Sequence, residues 1–284
     1  MTAKVLRAFA MIAAAWGSAS SAIAQALPTT PPSRIVVVVM ENHAAGQIIG
    51  APEAPYINAL AKSGAYFASS FGVAHPSEPN YLALFSGSTH GLKKDVCPLT
   101  LSGPNLAQAL IAAGKTFVGY SEGLPSTGFK GCIAPDGYAR KHAPWVNFPK
   151  LPASTNQPFA RFPGADFEQL PTVAFVIPNL NNDMHDGTVA EGDAWLQANI
   201  DPYLRWADTH NALLIVTWDE DDSHNKNQIP TIFYGPMVKA DVYTDRIDHY
   251  SVLRTIEDLY SLPRSGRAKA AAVIDKAWSP DSKN

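Results

Sequence analysis

Residues 34–43 read Arg34-Ile35-Val36-Val37-Val38-Val39-Met40-Glu41-Asn42-His43, an apolar run containing four consecutive valines that passes without a turn into three polar residues. Branching at Cβ crowds a helix and suits a pleated strand. The run is continuous rather than alternating, so both faces of this strand are expected to be covered, as in a parallel sheet. Thr116–Tyr120, Thr172–Ile177 and Ala212–Thr217 repeat the pattern, and Thr231–Tyr234 is a shorter fifth run. Helical patterns fall between them at Tyr56–Ser63, Asn105–Ala113, Gly192–Asp208 and Tyr250–Tyr260. Strands alternating with helices predict an α/β fold, a three-layer α/β/α sandwich around a mostly parallel sheet. The exception is 123–169, rich in Pro, Gly and aromatics with little periodicity. A stretch that long is expected to bind, to form a lid, or to hold structure that periodicity does not reveal.

Parallel sheets gather ligands at the carboxyl ends of their strands. The first strand runs into Glu41-Asn42-His43, and the fourth into Asp219-Glu220. The third opens a loop carrying Asn181, Asn182, Asp183, His185 and Asp186. Carboxylates converging from neighbouring strands repel one another unless a cation neutralises them, so a divalent metal is expected.

His75-Pro76-Ser77-Glu78-Pro79-Asn80-Tyr81 precedes an apolar helical stretch, which predicts Ser77 at a helix N-cap with proline in the first turn. Attack on a phosphate ester requires the serine oxygen to ionise far below its own pKa. A coordinated metal and a helix N-terminus both favour that state. A rival nucleophile is Ser121, in Gly119-Tyr120-Ser121-Glu122-Gly123, with Asp219 and His249 following in the order of an α/β-hydrolase triad. That elbow must turn into a helix, and Leu124-Pro125-Ser126-Thr127-Gly128 is a poor one.

Lys4 and Arg7, the apolar run Ala8–Trp16 and the small residues ending Ala22-Ile23-Ala24 have the layout of a secretory signal peptide cleaved after Ala24. Residues 1–24 are expected to be removed and 25–284 to form a single domain, since no linker or repeat divides them. The run is too short and too interrupted for a membrane span. Loss of Lys4 and Arg7 takes the formal net charge from −3 to about −5. No basic stripe suits nucleic acid. Cys97 and Cys132 lack CxxC spacing and are expected to form a disulfide in an oxidising compartment, periplasmic or extracellular.

Taken together, Val39-Met40-Glu41-Asn42-His43, His75–Tyr81, His185-Asp186-Gly187, Trp218-Asp219-Glu220 and Asp248-His249-Tyr250-Ser251 leading to Arg254-Thr255-Ile256-Glu257 resemble the bacterial phosphoesterase family. These are secreted acid phosphatases and phospholipases C within the alkaline phosphatase superfamily. The resemblance implies one divalent metal ion (Mg, Ca, Mn or Zn) held by Glu41, Ser77, Asp219 and Glu220. Ser77 would form a phosphoserine intermediate. Asn42 and His75 would touch substrate, and His185, Asp186 and His249 would surround the phosphate as donors or as the acid for the leaving group. Arg254 and Glu257 would be structural. The chain lacks the additional domains of the larger phospholipases C, which favours the compact acid phosphatases, including those acting on phosphoinositides. Where larger members follow Asp-Glu with glycines, this chain has Asp219-Glu220-Asp221-Asp222, so the ligands among these four are open. The glycine placement of an EF-hand is absent.

The expectation is therefore a secreted, metal-dependent acid phosphatase acting on a small-molecule or lipid phosphomonoester, without a membrane span or nucleic-acid partner. A phospholipase C-type phosphodiesterase, a serine carboxylesterase using Ser121, and a non-catalytic metal or polyanion module are the rivals.

Overall fold

The computed structural model describes residues 27–279; the expected signal peptide lies outside them. In chain order the elements are β1 (Ile35–Met40), α1 (Ala45–Ile48), α2 (Pro55–Ser63), β2 (Ala65–Phe67), β3 (Ser70–Phe71), α3 (Ser77–Ser86), α4 (Leu106–Ala112) and β4 (Phe117–Ser121). There follow β5 (Ile133–Ala134), β6 (Tyr138–Ala139), β7 (Asn156–Pro158), β8 (Val173–Ile177), α5 (Val189–Ala207), β9 (Leu213–Trp218), β10 (Thr231–Tyr234), β11 (Asp241–Tyr243), β12 (Ile247–Asp248) and α6 (His249–Leu259).

Eight strands form one sheet in the order β11-β2-β10-β9-β1-β8-β4-β7. Only β10 runs against the rest, pairing antiparallel with both β9 and β2. The valine-rich β1 sits between β8 and β9, parallel to both, with Val38 opposite Val176 on one side and Val216 on the other. Because strand side chains alternate, β1 feeds two cores. Ile35, Val37 and Val39 pack with Leu82 and Phe85 of α3, Leu106 and Leu110 of α4, and Leu253 and Ile256 of α6. Val36, Val38 and Met40 pack with Ile57 and Leu60 of α2 and Leu196, Ile200 and Tyr203 of α5. That is the expected three-layer sandwich. Each fully buried side chain of this size contributes about 1.5–3 kcal/mol of transfer free energy.

Helix ends follow local chemistry. Asn105 caps α4 by accepting from the Gln108 amide at 2.9 Å, so the expected first residue is the cap. Thr188 and Glu191 form a capping box that starts α5 three residues ahead of the expected Gly192. Asp248 caps α6 in the same way with Ser251.

The aperiodic stretch 123–169 holds structure. It supplies the β5–β6 hairpin, short 3₁₀ turns and the sheet-edge strand β7. Trp145 from this stretch lies against Gly119, where a Cβ would come within 2.1 Å of the indole. Its Nε1 donates to Asn156 Oδ1 at 2.8 Å. Cys97 and Cys132 form the expected disulfide. Beside it, Arg140 donates from Nη1 to the Lys130 carbonyl (2.8 Å), from Nη2 to the Leu99 carbonyl (2.9 Å) and from Nε to Asn147 Oδ1 (3.2 Å).

Candidate active site

The carboxyl ends of β9, β1 and β8 are neighbours, and the main chain stitches their continuations together. The Asp219 amide donates to the Met40 carbonyl at 2.9 Å and the Glu41 amide to the Asp183 carbonyl at 2.8 Å. Asn42 then turns the chain through the left-handed region at φ 48°, a conformation asparagine tolerates better than most residues. The turn aims its amide at Asp219 Oδ1, 3.2 Å away. With its side-chain nitrogen facing the carboxylates, Asn42 donates to Glu41 Oε2 at 3.0 Å and to Glu220 Oε1 at 3.3 Å. Glu41, Asp219 and Glu220 are all buried.

Ser77 meets these groups from the opposite side. Its Oγ donates to Glu41 Oε2 at 3.1 Å and lies 3.4 Å from Glu220 Oε1. The N-cap expectation is corrected here: α3 begins at Ser77 and Pro76 occupies the cap position without a side-chain bond. The reason is local. Of the two amides that a cap at Ser77 would serve, Pro79 has none to give, and Glu41 and Glu220 engage the hydroxyl in place of Asn80. The hydroxyl is thus released from the helix to the carboxylates.

The rest of the motif builds the approach to Ser77. Asn80 Oδ1 accepts from the Val73 and Ala74 amides at 2.8 and 3.0 Å, and its Nδ2 donates to the Ala74 carbonyl at 2.9 Å. Glu78 accepts from the Val96 amide at 2.6 Å, and its own amide donates to Asp95 Oδ1 at 3.0 Å. His75 reaches Glu220 Oε2 at 2.5 Å and Asp221 Oδ1 at 3.3 Å.

Of the four consecutive acids, Asp219 and Glu220 face the site, while Asp221, apart from its His75 contact, and Asp222 chiefly hold their own loop. Asp221 accepts from the amides of Ser223 (2.7 Å), Asn225 (2.7 Å) and Asn227 (2.8 Å). Asp222 is half-buried and accepts from the His224 amide and Asn225 Nδ2, and from Gln47 Nε2 at 3.1 Å. Asn227 ties this loop to the Ala74 carbonyl at 2.8 Å.

A residue that the sequence reading missed completes the cluster. His142, buried in the long excursion, places Nε2 3.0 Å from Glu41 Oε1 and Nδ1 3.4 Å from Asp183 Oδ2. Tyr81 of the serine motif stacks on its ring, centroids 4.8 Å apart. His185 lies beyond it, ring centroids 6.2 Å apart, with its Nδ1 2.7 Å from Asp186 Oδ1. The only sequence signal for His142 is a basic triplet, Arg140-Lys141-His142, inside an otherwise apolar segment. Asp183 was visible as a loop acid, without an assigned role. His249 is buried at the start of α6, with Nε2 2.6 Å from the Asp219 carbonyl.

Burial raises Asp219 well above the usual carboxylate range, and Glu41 and Glu220 add repulsion. Burial also raises Glu220 to about 7, with Glu41 adding to the rise and His75 opposing it. Burial acts against the charged forms of Glu41 and His142 as well, but their mutual attraction prevails, leaving Glu41 near 2 and His142 near 9. Asp183 faces the same imidazole yet is raised, because burial dominates and His142 lies closer to Glu41. Two charged carboxylates beside Glu41 are costly in this interior.

The donor chemistry fits a hard divalent cation. Glu41, Asp219, Glu220 and Ser77 offer oxygen, and Asp219 Oδ2 is buried without a hydrogen-bond partner among the described residues. No group of three or more His, Cys, Asp or Glu among the described residues is closed into a ready metal cage. The Ser77 hydroxyl instead bridges Glu41 and Glu220.

Ser121 Oγ, the rival nucleophile, is buried with no hydrogen-bond partner among the described residues. Gly123 with φ 73° leads from β4 into irregular chain rather than a helix, so the nucleophile elbow is not formed. Among the described residues no helix is long and apolar enough to cross a membrane.

A profile of the phosphoesterase family matches residues 51–263, beginning after Glu41 and Asn42. The chain is 51% identical over 257 residues to the phosphatidylinositol-3-phosphatase of Mycobacterium tuberculosis, a match covering 90% of this chain and 85% of that one. It is 30% identical over 236 residues to an acid phosphatase of Aspergillus fumigatus, covering 76% of this chain and about half, 52%, of the fungal one. A protein of the alkaline phosphatase superfamily from Vibrio parahaemolyticus shares the fold with TM-score 0.59 at 12% identity, over 84% of this chain and 70% of that one.

Proposed function

This chain belongs to the phosphoesterase family and is a phosphatase, and on that premise we propose that it hydrolyses the phosphomonoester of an inositol phospholipid head group with Ser77 as nucleophile. One observation carries the reading: a buried serine hydroxyl at the first residue of α3 is held by Glu41 and Glu220, with Asp219 on the adjoining strand end. Glu41, Ser77, Asp219 and Glu220 would hold one divalent cation, which would neutralise the carboxylates and favour the ionised serine oxygen.

Ser77 Oγ points its hydrogen at Glu41, which would take up that proton as the oxygen attacks phosphorus in line. The N-terminal end of α3 favours negative charge at that position. His142, stacked on Tyr81 and paired to Glu41, holds that carboxylate in place. His185 we assign as the proton donor for the departing alcohol. Its Nδ1 contact with Asp186 orients the ring and leaves Nε2 to face substrate. The same histidine then takes a proton from the water that cleaves the phosphoserine. His249 we assign to positioning, since its Nε2 holds the Asp219 main chain. His75 orients Glu220, and Asn42 bridges Glu41 and Glu220 from the turn after β1. Export to the periplasm or the medium belongs to the same reading and is supported by the Cys97–Cys132 disulfide.

The test is a substrate panel with the protein stripped of metal and reconstituted with Mg, Ca, Mn or Zn separately. Phosphomonoesters, including phosphatidylinositol phosphate, should turn over with at least one ion and not in excess chelator. Faster turnover of phosphodiesters than of monoesters, or full activity in chelator, would overturn the proposal.

A further inference from the structure

We propose that the disulfide-closed rim beside the active site, carrying Lys93, Lys94, Lys130 and Ile133, is a docking surface for an anionic phospholipid bilayer. The inference rests on the reading of the substrate as a lipid head group, because a soluble phosphoester would need no such surface.

The rim consists of two segments, 91–99 and 130–141, joined by Cys97–Cys132. Arg140 holds both from beneath, donating to the Lys130 and Leu99 carbonyls, and Lys141 Nζ reaches Asp95 Oδ2 at 3.1 Å. On this braced support the β5–β6 hairpin exposes Ile133 to 75%, more than the other exposed large apolar side chains among the described residues, Ile111 (45%), Val242 (58%) and Val273 (44%). Pro98 and Pro135 are exposed on the same two segments. A large apolar side chain fixed in water contributes nothing to the fold, and an interface offers it a place.

Charge points to the same occupant. The whole chain has formal net charge −3, yet Lys93, Lys94 and Lys130 are all exposed on this rim. Against them stand Asp95, occupied by Lys141, and Asp136 at the hairpin turn. Exposed lysines near an anionic leaflet each strengthen binding, and an adjoining apolar wedge adds to it. The rim also adjoins the chemistry, because the residue after Lys141 is His142, which contacts Glu41. Docking there would deliver a head group to Ser77 without extracting the lipid.

The experiment measures cosedimentation of the intact protein with phosphatidylcholine vesicles, with and without phosphatidylserine, at low and physiological salt. Alongside it, p-nitrophenyl phosphate turnover and thermal melting are recorded for wild type, K93E/K94E/K130E and Ile133→Ser. Wild type should favour the anionic vesicles about tenfold or more, less so as salt rises, and the triple variant should lose that preference. Ile133→Ser should weaken binding several-fold, and turnover and melting should stay at wild-type values for both. Equal binding of wild type to both vesicles, or wild-type binding by the triple variant, would overturn the proposal. Failure of the phosphatase reading would appear separately, as absent turnover of p-nitrophenyl phosphate by the wild type.

Discussion

Replacing Asn80 by alanine tests whether the serine motif is built as a scaffold. Asn80 is fully buried, and its Oδ1 is the partner of two main-chain amides, those of Val73 and Ala74. The Ala74 carbonyl, which Asn80 also serves, retains Asn227 as a donor at 2.8 Å. The loss in Asn80→Ala is therefore two stranded amides, each costing about 1–3 kcal/mol if kept from water. Val73 and Ala74 are partly exposed, so water relieves some of this, and the net cost should be about 2–4 kcal/mol. At about 2–4 °C per kcal/mol for a domain of this size, melting followed by circular dichroism should fall by roughly 4–16 °C. The fall should be the same with and without chelator, because no cation enters the argument. Turnover should drop as well, since 73–76 leads directly into Ser77. A melting temperature within about 2 °C of wild type would refute the reasoning.

Three further predictions concern other parts of the fold. Removing both cysteines opens a loop with sequence separation 35, and in the chain-entropy account this costs about 3–4 kcal/mol, read as a lower denaturation midpoint; an unchanged midpoint would show that the loop is equally ordered when reduced. Glu257 is buried, accepts from the Ser265 amide at 2.8 Å, and is pushed up to about 7 by burial. Its folded-state pKa exceeds the unfolded one, so its contribution is complete below about pH 4.5 and lost as pH rises through about 7; Glu257→Gln should remove this fall, worth about 2–3 kcal/mol at most, as read by comparing urea midpoints at pH 5 and pH 8. His142→Ala leaves Glu41 and Asp183 buried without their imidazole, and should cost about 3–5 kcal/mol of stability together with most activity; retention of wild-type stability would show that the imidazole does not neutralise them.

The sheet was legible because β1, β4, β8, β9 and β10 are buried runs whose apolar composition survives any packing arrangement. The edge strands were not. Asn156–Pro158 and Asp241–Tyr243 each have a free side and three residues, so nothing in their composition demands a strand. Glu41, Asp219 and Glu220 were legible for a geometric reason: adjacent parallel strands deliver whatever follows them to one edge. His142 was not, because it arrives on an irregular segment whose path is set by Trp145, Arg140 and the disulfide. The position of Ser77 at the start of a helix was legible, but not that its hydroxyl turns to Glu41 and Glu220 instead of capping. The division of Asp219–Asp222 into two site acids and two loop acids depends on the turn at Ser223, φ 67°, which composition does not predict.

Ser77 is the group on which the proposed chemistry depends. The decisive measurement is rapid acid quench of the protein during turnover of a phosphomonoester, followed by peptide mass spectrometry. It should find one phosphoryl group on Ser77 in wild type and none in Ser77→Ala, which should retain wild-type melting and lose turnover. Phosphate on another residue, or turnover by Ser77→Ala near the wild-type rate, would contradict it.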